Sequence, residues 1–255
     1  MKNIIQISVP KSGTYLLKKC ICLLTGSNEI HDKGAAINPA YGRYSYYYIA
    51  KPSEFAWECQ HGKHWSNHLF FNEAFVPFLN NDRTAIFFIY RDPRDQLVSI
   101  ALYMMRHPEA PWYIDTKDPS FSFDDFILSL MQSGELYKNH PPCNGVGDLY
   151  QRYAPWISAP YVCSIRFEDL IGKNGGGDAN KQRDVVKKIV EHLEIDISEE
   201  RTERVINKLF GDTVTFRKGQ IGDWKNHLKE HHKKAFKEVA GQLLIDLGYE
   251  RDFNW

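Results

Sequence analysis

The chain begins with a short apolar run, a glycine-containing turn and a helix, and this order leaves few folds open. Residues 3–9 (NIIQISV) have the β-branched content of a buried strand, and the strand ends at Pro10. Residues 14–25 then carry apolar side chains at helical spacing, and Gly26 ends the helix. A strand, a tight turn and a helix make half of a βαβ unit, so the sequence predicts a parallel sheet.

Two later segments supply further strands of the predicted sheet. Thr84–Tyr90 (TAIFFIY) is a nearly continuous apolar run, typical of a strand that is buried on both faces. Tyr161–Arg166 is predicted as the third strand. Residues 27–70 are predicted to be rich in loops and in aromatic residues. We expect helices from near Arg94 and near residues 122–132, 148–157, 180–193, 198–209 and 228–247. Because strands alternate with helices and no repeat or linker divides the chain, the sequence predicts one α/β domain over residues 1–255, with a central parallel sheet flanked by helices.

The charges of the chain balance, and this balance excludes some partners. The sequence has 32 basic and 32 acidic residues, so it lacks the basic excess of a general nucleic-acid or anionic-membrane binder. Its five cysteines are scattered at spacings that fit no zinc site, so we expect reduced thiols. The apolar run at Ile4–Val9 is too short for a secretory signal or a membrane span. We therefore expect a cytoplasmic protein without a bound metal.

The turn after the first strand has the chemistry of a phosphate-binding loop. In Pro10–Tyr15 (PKSGTY), Gly13 lets the backbone fold closely around an anion, and the helix N-terminus points its N–H groups at that anion. Lys11 adds a mobile cation, and the hydroxyls of Ser12 and Thr14 are further donors. The string is not the nucleoside-triphosphate P-loop, because G-x-x-x-x-G-K-[ST] is absent. A plain strand-to-helix turn with an exposed lysine is the alternative.

A second string, RDPRD, follows the second predicted strand. Arg91 can place a forked guanidinium on a phosphate, and Ser99, about two helical turns further on, can face the same ligand. Ligands of open α/β sheets bind at the carboxyl ends of the strands, where this string begins. The alternative is an ion-pair cluster of Arg94 with Asp92 or Asp95.

The third string is Phe216–Lys225 (FRKGQIGDWK). Arg217 and Lys218 place two cations beside Gly219, a residue that is free to adopt unusual backbone angles. Such a segment can surround a phosphate with side chains and amides together. A basic surface turn before the last helix is the alternative.

Together, these three strings resemble the cytosolic-type sulfotransferase family, and the resemblance spans most of the chain. It implies a P-loop-like (sulfotransferase/nucleoside-kinase-like) fold and transfer of a sulfuryl group from 3′-phosphoadenosine 5′-phosphosulfate (PAPS) to a hydroxyl, or less often an amine, of a small-molecule acceptor. It also implies that PKSGT binds the 5′-phosphosulfate, that the Arg–Ser pair binds the 3′-phosphate, and that RKGxxGDWK closes over that phosphate. The donor site then comprises Lys11, Ser12, Gly13, Thr14, Tyr15, Arg91, Ser99, Arg217, Lys218 and Gly219.

The resemblance further implies a histidine as the general base, a little over twenty residues before the arginine of the 3′-phosphate site. A histidine that titrates near neutrality suits removal of the acceptor proton, and Lys11 suits stabilisation of the donor's bridging oxygen. His68 fits the offset to Arg91 and lies in a string (HLFFNEAFVPFL) that is similar to the family's. His64 and His61 are the alternatives.

Two departures from the family affect the nucleobase pocket. Eukaryotic members read KSGTTW, with the tryptophan on the adenine, whereas this chain has Tyr15 and Leu16 at the end of that string. The tyrosine of the family's YED string is Phe167 here. We therefore assign adenine stacking to Phe210 or to another aromatic residue.

The acceptor pocket is assigned to two aromatic segments, Tyr41–Tyr48 and His107–Ile114. The same aromatics could instead pack in the core or at a homodimer interface. Two other functions stay open. A small-molecule kinase needs a Walker lysine and an acidic magnesium ligand, and neither is evident, whereas a non-catalytic binder of a nucleotide bisphosphate needs only the phosphate sites.

Overall fold

The computed structural model describes residues 2–27, 31–32, 51–61, 64–108, 113–132, 134–136, 140–143, 145–213 and 216–255. The chain divides into two compact units. The described residues before Asp92 and residues 154–221 form the first unit, and the described parts of residues 92–153 and 222–255 form the second. The predicted phosphate loop after the first strand, Arg91 and the RKG string (Arg217–Gly219) therefore all lie in the first unit.

A five-stranded parallel sheet forms the centre of the first unit. Its strands are β1 (Asn3–Ser8), β2 (His31–Asp32), β3 (His64–Asn67), β4 (Thr84–Tyr90) and β7 (Val162–Arg166), in the order β2–β3–β1–β4–β7. Every residue of β4 is buried, as its unbroken apolar run predicts, and β4 pairs with β1 on one side and β7 on the other. The three predicted strands and their parallel arrangement are confirmed.

The order of the strands reverses at β1. On one side of β1 the ladder to β3 ends with Ile7 opposite Asn67, and on the other side the ladder to β4 ends with Ser8 opposite Ile89. Because the strands are parallel, the segments that follow β1, β3 and β4 leave from the same edge of the sheet. A reversal of this kind forms the crevice in which open α/β sheets bind ligands.

Helices of the first unit bury the sheet. One apolar cluster joins β1, β4 and β7 to α1 (Thr14–Thr25), α8 (Ala179–Leu193) and α9 (Glu199–Lys208). The unit also contains α2 (Pro52–His61), α3 (Val76–Leu79) and α7 (Phe167–Leu170). The last part of α6 (Val146–Ser158) also belongs to this unit and contains Trp156. The Nε1 of Trp156 donates to the backbone carbonyl of Leu69 at 2.9 Å. That hydrogen bond fixes the backbone one residue after His68.

The second unit is mainly helical. It contains α4 (Pro93–Met104), α5 (Phe123–Met131) and α10 (Glu230–Asp246), with an antiparallel hairpin of β5 (Gly134–Leu136) and β6 (His140–Cys143). Arg94 is buried between the rings of Trp224 and Trp255, whose centroids lie 4.2 and 4.5 Å from its guanidinium carbon. It also forms an ion pair with Asp92 at 2.7 Å. The ion-pair interpretation of the RDPRD string is therefore right for Arg94.

Residues 27–70 contain more regular structure than the sequence pattern indicates. The pattern predicts a loop-rich stretch, but the described part holds α2, β3 and the two-residue β2. β3 (HWSN) has one large apolar residue, and it forms a strand because it pairs with both β1 and β2. Within the described residues, no helix combines the length and the apolar character needed to cross a membrane.

Candidate functional site

The loop that follows β1 has the shape of an anion-binding turn. Lys11 has a φ of 64° and Gly13 a φ of 102°, both on the left-handed side. Gly13 is also the N-cap of α1, so the loop ends at a helix terminus whose first amides have no partner within the helix. A Cβ at Gly13 would lie 2.7 Å from Cδ2 of Phe167. Both the backbone angle and the available space therefore require glycine here.

Ser12 contributes a buried hydroxyl to this loop. The residue is 0% exposed, and its Oγ has no hydrogen-bond partner among the residues that the structure describes. Leaving a buried hydroxyl unsatisfied costs about 1–3 kcal/mol. An anion bound in the loop would supply the missing acceptor, so the donor chemistry of Ser12 fits a phosphate or sulfate group.

Positive charge concentrates at the same loop. Burial of the Lys11 side chain, followed by the positive charges of Arg217 and Arg91, lowers the pKa of this lysine from 10.5 to about 8. All three strings therefore contribute to one electrostatic environment, because each provides one of these cations. A bound phosphate or sulfate dianion would attract all three cations and so offset the repulsion between them.

Arg91 directly follows β4, where the sequence places it. It is 8% exposed, and its guanidinium lies over the ring of Phe167 at 4.3 Å. Its Nη2 donates to the backbone carbonyl of Gln220 at 2.7 Å. Phe167, which stands where the family has tyrosine, therefore packs against both the phosphate loop and the predicted phosphate arginine.

The RKG string is held by a glycine-rich turn. The backbone N–H of Ile221 donates to the carbonyl of Gly175 at 2.9 Å, and Nε2 of Gln220 donates to the carbonyl of Asn174 at 2.9 Å. Gly219 has a φ of 61°, and a Cβ there would lie 2.7 Å from the ring of Phe216. The unusual backbone angle expected at Gly219 is therefore confirmed.

His68 lies directly after β3, at the carboxyl edge of the sheet. Its Nδ1 is 2.9 Å from the backbone carbonyl of Ser8 and 3.1 Å from the Ser8 Oγ. That Oγ is in turn 2.8 Å from the Oγ1 of Thr14 in the phosphate loop. His68 is thus connected to the Thr14 hydroxyl of the loop through the hydroxyl of Ser8. His64 has a longer connection, through Gln6, whose Nε2 donates to the backbone carbonyl of Thr14 at 2.6 Å.

The two alternative histidines lie elsewhere. His64 is the first residue of β3, 1% exposed, and its Nε2 is 3.4 Å from Oε1 of Gln6. It stands four positions before His68, which is roughly 13 Å along an extended strand. His61 is exposed at the end of α2 and stacks on Trp57 with a centroid distance of 5.2 Å. Neither of them follows the carboxyl end of a strand.

The remaining predicted donor residues are placed as follows. Tyr15 is half-buried in the first turn of α1, and Lys218 is exposed beside Arg217. Phe210 packs edge-on against Phe216, with ring centroids 5.3 Å apart. Ser99 lies two turns into α4, in the second unit, and is half-buried. The acceptor segment Tyr41–Tyr48 and residues 109–112 of the other acceptor segment lie outside the described residues.

Sequence reasoning did not find the role of Asp95. Its Oδ2 accepts a hydrogen bond from the N–H of Gly222 at 2.8 Å, and its Oδ1 accepts one from the N–H of Trp224 at 2.9 Å. Asp95 is buried, so these bonds anchor the GDWK end of the third string to the start of α4. The sequence suggested only an ion-pair partner for Arg94, because a carboxylate beside an arginine gives no sign of a backbone partner 127 residues away.

One group outside this site has the residue types of a metal centre. Asp124, His231 and His232 bring their ligand atoms within 4.8 Å of one another. However, Nδ1 of His232 accepts from the N–H of Lys229, so its Nε2 carries the proton and donates to the carbonyl of Asp124 at 3.2 Å. The carboxylate of Asp124 already binds the Lys229 ammonium at 2.6 Å. These hydrogen bonds fit a structural contact between α5 and α10 better than a metal.

Comparison with known proteins agrees with this geometry. The sulfotransferase domain family matches residues 2–248. Sulfotransferase 6B1 of Danio rerio is 25% identical over 180 residues, which are 64% of this chain and 52% of that protein, so the chain spans about half the length of this relative. The 3-alpha-hydroxysteroid sulfotransferase of Cavia porcellus is 21% identical, over 100% of this chain and 87% of its own.

Solved structures share the fold. Mouse sulfotransferase SULT7A1, complexed with PAP, has a TM-score of 0.63 at 19% identity over 97% of this chain and 86% of its own. Retinol dehydratase in complex with androsterone and PAP has a TM-score of 0.61 at 14% identity over 96% of this chain and 82% of its own. The expected P-loop-like α/β fold is thus confirmed. Since its sulfotransferase domain runs from residue 2 to residue 248, this chain belongs to the sulfotransferase family.

Proposed function

We propose that this protein transfers a sulfuryl group from PAPS to a hydroxyl, or less often an amine, of a small-molecule acceptor. The observation that carries the proposal is the convergence of Lys11, Arg91 and Arg217 on one glycine-containing loop, where burial of Lys11, followed by the positive charges of Arg217 and Arg91, lowers the pKa of this lysine to about 8. Three cations from three separate strings suit a ligand with several anionic groups. PAPS is such a ligand, and solved proteins of the same fold hold the product 3′-phosphoadenosine 5′-phosphate (PAP).

The two phosphate ends of the donor are assigned to different elements. The loop amides, Ser12 and Thr14 bind the 5′-phosphosulfate, because a helix N-terminus and a buried hydroxyl both donate to an anion. Arg91 binds the 3′-phosphate. In this assignment the whole donor site comprises Lys11, Ser12, Gly13, Thr14, Tyr15, Arg91, Ser99, Phe210, Arg217, Lys218 and Gly219.

His68 acts as the general base in the proposed reaction. The acceptor oxygen forms a bond to sulfur while its proton moves to Nε2 of His68, and the bond between sulfur and the bridging oxygen breaks. The electron pair of that bond stays on the phosphate oxygen, which Lys11 stabilises as a cation. Fixed side-chain cations take up the developing charge, so the proposed mechanism assigns no step to a metal.

The proposal is tested by incubating the protein with labelled PAPS and a panel of phenols, alcohols and amines. Transfer of label to any acceptor supports it. Tight binding of PAP without transfer to any acceptor would instead indicate a non-catalytic binder, and turnover of ATP would indicate a kinase.

A matched pair of variants tests the base. His68→Ala should abolish transfer and leave the Kd for PAP within about twofold, since the base does not hold the donor phosphates. His64→Ala removes a buried ring from β3, the strand just before His68, and should retain catalysis in whatever fraction of the protein folds. Loss of transfer in folded His64→Ala, with activity kept in His68→Ala, would contradict the assignment.

A further inference from the structure

The Ser8 carbonyl fixes which nitrogen of His68 carries a proton. The ladder between β1 and β3 ends at Ile7 and Asn67, and one residue further on the Ser8 carbonyl meets Nδ1 of His68 at 2.9 Å. A carbonyl oxygen only accepts hydrogen bonds, so Nδ1 must be the protonated nitrogen. In the neutral ring Nε2 then carries the lone pair, which is the state that a general base requires.

The hydroxyl of Ser8 continues the connection towards the phosphate loop. Its Oγ is 3.1 Å from the same Nδ1 and 2.8 Å from Oγ1 of Thr14. Nδ1 carries one proton, which the carbonyl and the Oγ of Ser8 share as acceptors, so the Ser8 hydroxyl can donate its own proton to Thr14. Thr14 Oγ1 then accepts from Ser8, which leaves the threonine O–H as the last donor of the series.

The direction of these bonds is set from both ends. Nδ1–H of His68 donates to Ser8, and the Ser8 O–H donates to Thr14. The Thr14 O–H is then directed to the anion-binding loop, at the N-terminus of α1. An anion in the loop is an acceptor, so it favours this direction over the reverse one. When His68 takes up a proton at Nε2, its Nδ1–H becomes a stronger donor to Ser8, and the series links the new positive charge to the bound anion.

We infer that Ser8 is a positioning residue, which holds the catalytic base in its Nδ1–H tautomer and couples it, through Thr14, to occupancy of the phosphate loop. The inference rests on the proposed function for the roles of His68 and the loop. It assigns to the last residue of β1 a part in catalysis that does not involve contact with either substrate. Binding of the donor phosphate thereby strengthens the hydrogen bonds that orient the base before the acceptor reacts.

Nitrogen-15 NMR of histidine-labelled wild-type protein tests the tautomer without any acceptor. His68 is assigned by the signal lost in His68→Asn, and we expect its neutral form to be protonated at Nδ1. Adding PAP should shift the Nδ1–H resonance in the wild type and in Ser8→Thr, which keeps the hydroxyl, but much less in Ser8→Ala. A ring protonated at Nε2, or an equal shift in Ser8→Ala, overturns the inference.

Steady-state kinetics supply the second measurement. Ser8→Ala should lower kcat about tenfold with KM for PAPS within about twofold, because a less well oriented base slows the chemical step rather than binding. Ser8→Thr should recover most of that loss. A Ser8→Ala enzyme with wild-type kcat overturns the inference, and so does a Ser8→Thr enzyme as slow as Ser8→Ala. If the wild type sulfates no acceptor, the proposed function fails, but the NMR experiment still decides the role of Ser8 in the hydrogen-bond series.

Discussion

The guanidinium of Arg91 donates a hydrogen bond from Nη2 to the backbone carbonyl of Gln220 at 2.7 Å. This bond joins two strings that lie 129 residues apart in the sequence, and it needs no ligand. Gln220 directly follows the RKG residues, so the arginine that is assigned to the 3′-phosphate also holds the segment that is assigned to cover it. The proposed phosphate site is therefore organised in advance, which reduces the cost of ordering on binding.

Replacing Arg91 should weaken PAP binding more than loss of charge alone explains. Arg91→Ala removes a charge-assisted hydrogen bond and the contact with Gln220, so we expect a loss of about 2 kcal/mol, roughly 30-fold in Kd. Arg91→Lys keeps the charge but neither the fork nor the stacking on Phe167, and should lose about tenfold. Isothermal titration calorimetry measures both. Arg83→Ala, an exposed arginine just before β4, is the control. Wild-type affinity in Arg91→Lys would contradict the geometric role.

Asp95 should contribute to the free energy of unfolding, although it has no step in the proposed reaction. Asp95→Ala leaves the N–H groups of Gly222 and Trp224 without their acceptor, and we expect the free energy of unfolding to fall by about 3 kcal/mol. For a chain of this length that loss lowers Tm by roughly 6–10 °C. Asp125→Asn, an exposed carboxylate in the same unit, should change Tm by less than about 2 °C. Equal melting temperatures in the two variants would show that the anchoring bonds contribute nothing.

Elements with a strong local pattern were predictable from the sequence. β4 is an unbroken apolar run, and α1 ends at Gly26, whose left-handed φ of 73° is the usual reason for glycine after a helix. β3 was missed because its burial depends on two neighbouring strands rather than on its own composition. The β5–β6 hairpin was also missed, because the prolines within His140–Cys143 favour an interpretation as loop.

The residues of the candidate site likewise fall into those that the sequence pattern could predict and those that it could not. The clustering of Lys11, Arg91 and Arg217 was predictable because each stands just after a strand or two residues before a glycine, where sequence pattern is informative. The inferred part of Ser8 and the anchoring bonds of Asp95 were not predictable, since they depend on partners that lie 60 and 127 residues away. The proposal of His68 rather than His64 as the base likewise draws on strand register, which spacing along the chain does not reveal.

The lowered pKa of Lys11 predicts how PAP binding depends on pH. Lys11 titrates near pH 8 in the free protein, and the phosphates favour its charged form, so binding above that pH must take up a proton. We expect Kd to be nearly constant from pH 6.5 to 7.5 and then to rise, approaching about tenfold per pH unit above pH 8.5. Lys11→Arg stays protonated throughout and should flatten the curve. The same slope in both proteins would mean that another group takes up the proton.

The lowered pKa of Lys11 weakens PAP binding at high pH, but it makes the folded protein without ligand more stable there than at lower pH. The pKa of Lys11 is lower in the folded protein than the ordinary value of 10.5, so between pH 8 and pH 10.5 the unfolded chain holds more protons at this residue. The contribution of Lys11 to the free energy of unfolding therefore increases as pH rises through this window. Urea unfolding of the wild type and of Lys11→Met at pH 7.5 and pH 9.5 measures the difference, and the wild type should gain stability relative to the variant at the higher pH.

Gly13 and Gly26 cap the two ends of α1, and substituting each of them separates backbone strain from crowding. Both residues have a positive φ, so alanine costs about 1–2 kcal/mol at either position through the backbone alone. At Gly26 the nearest atom to a new Cβ is 3.9 Å away, whereas at Gly13 the buried ring of Phe167 is 2.7 Å away. Gly13→Ala must also displace that ring, which stacks on Arg91, and we expect it to weaken PAP binding at least tenfold. Gly26→Ala should lose stability in urea unfolding but bind PAP normally. Equal affinity in the two variants would show that the loop tolerates a side chain where the phosphate is expected to lie.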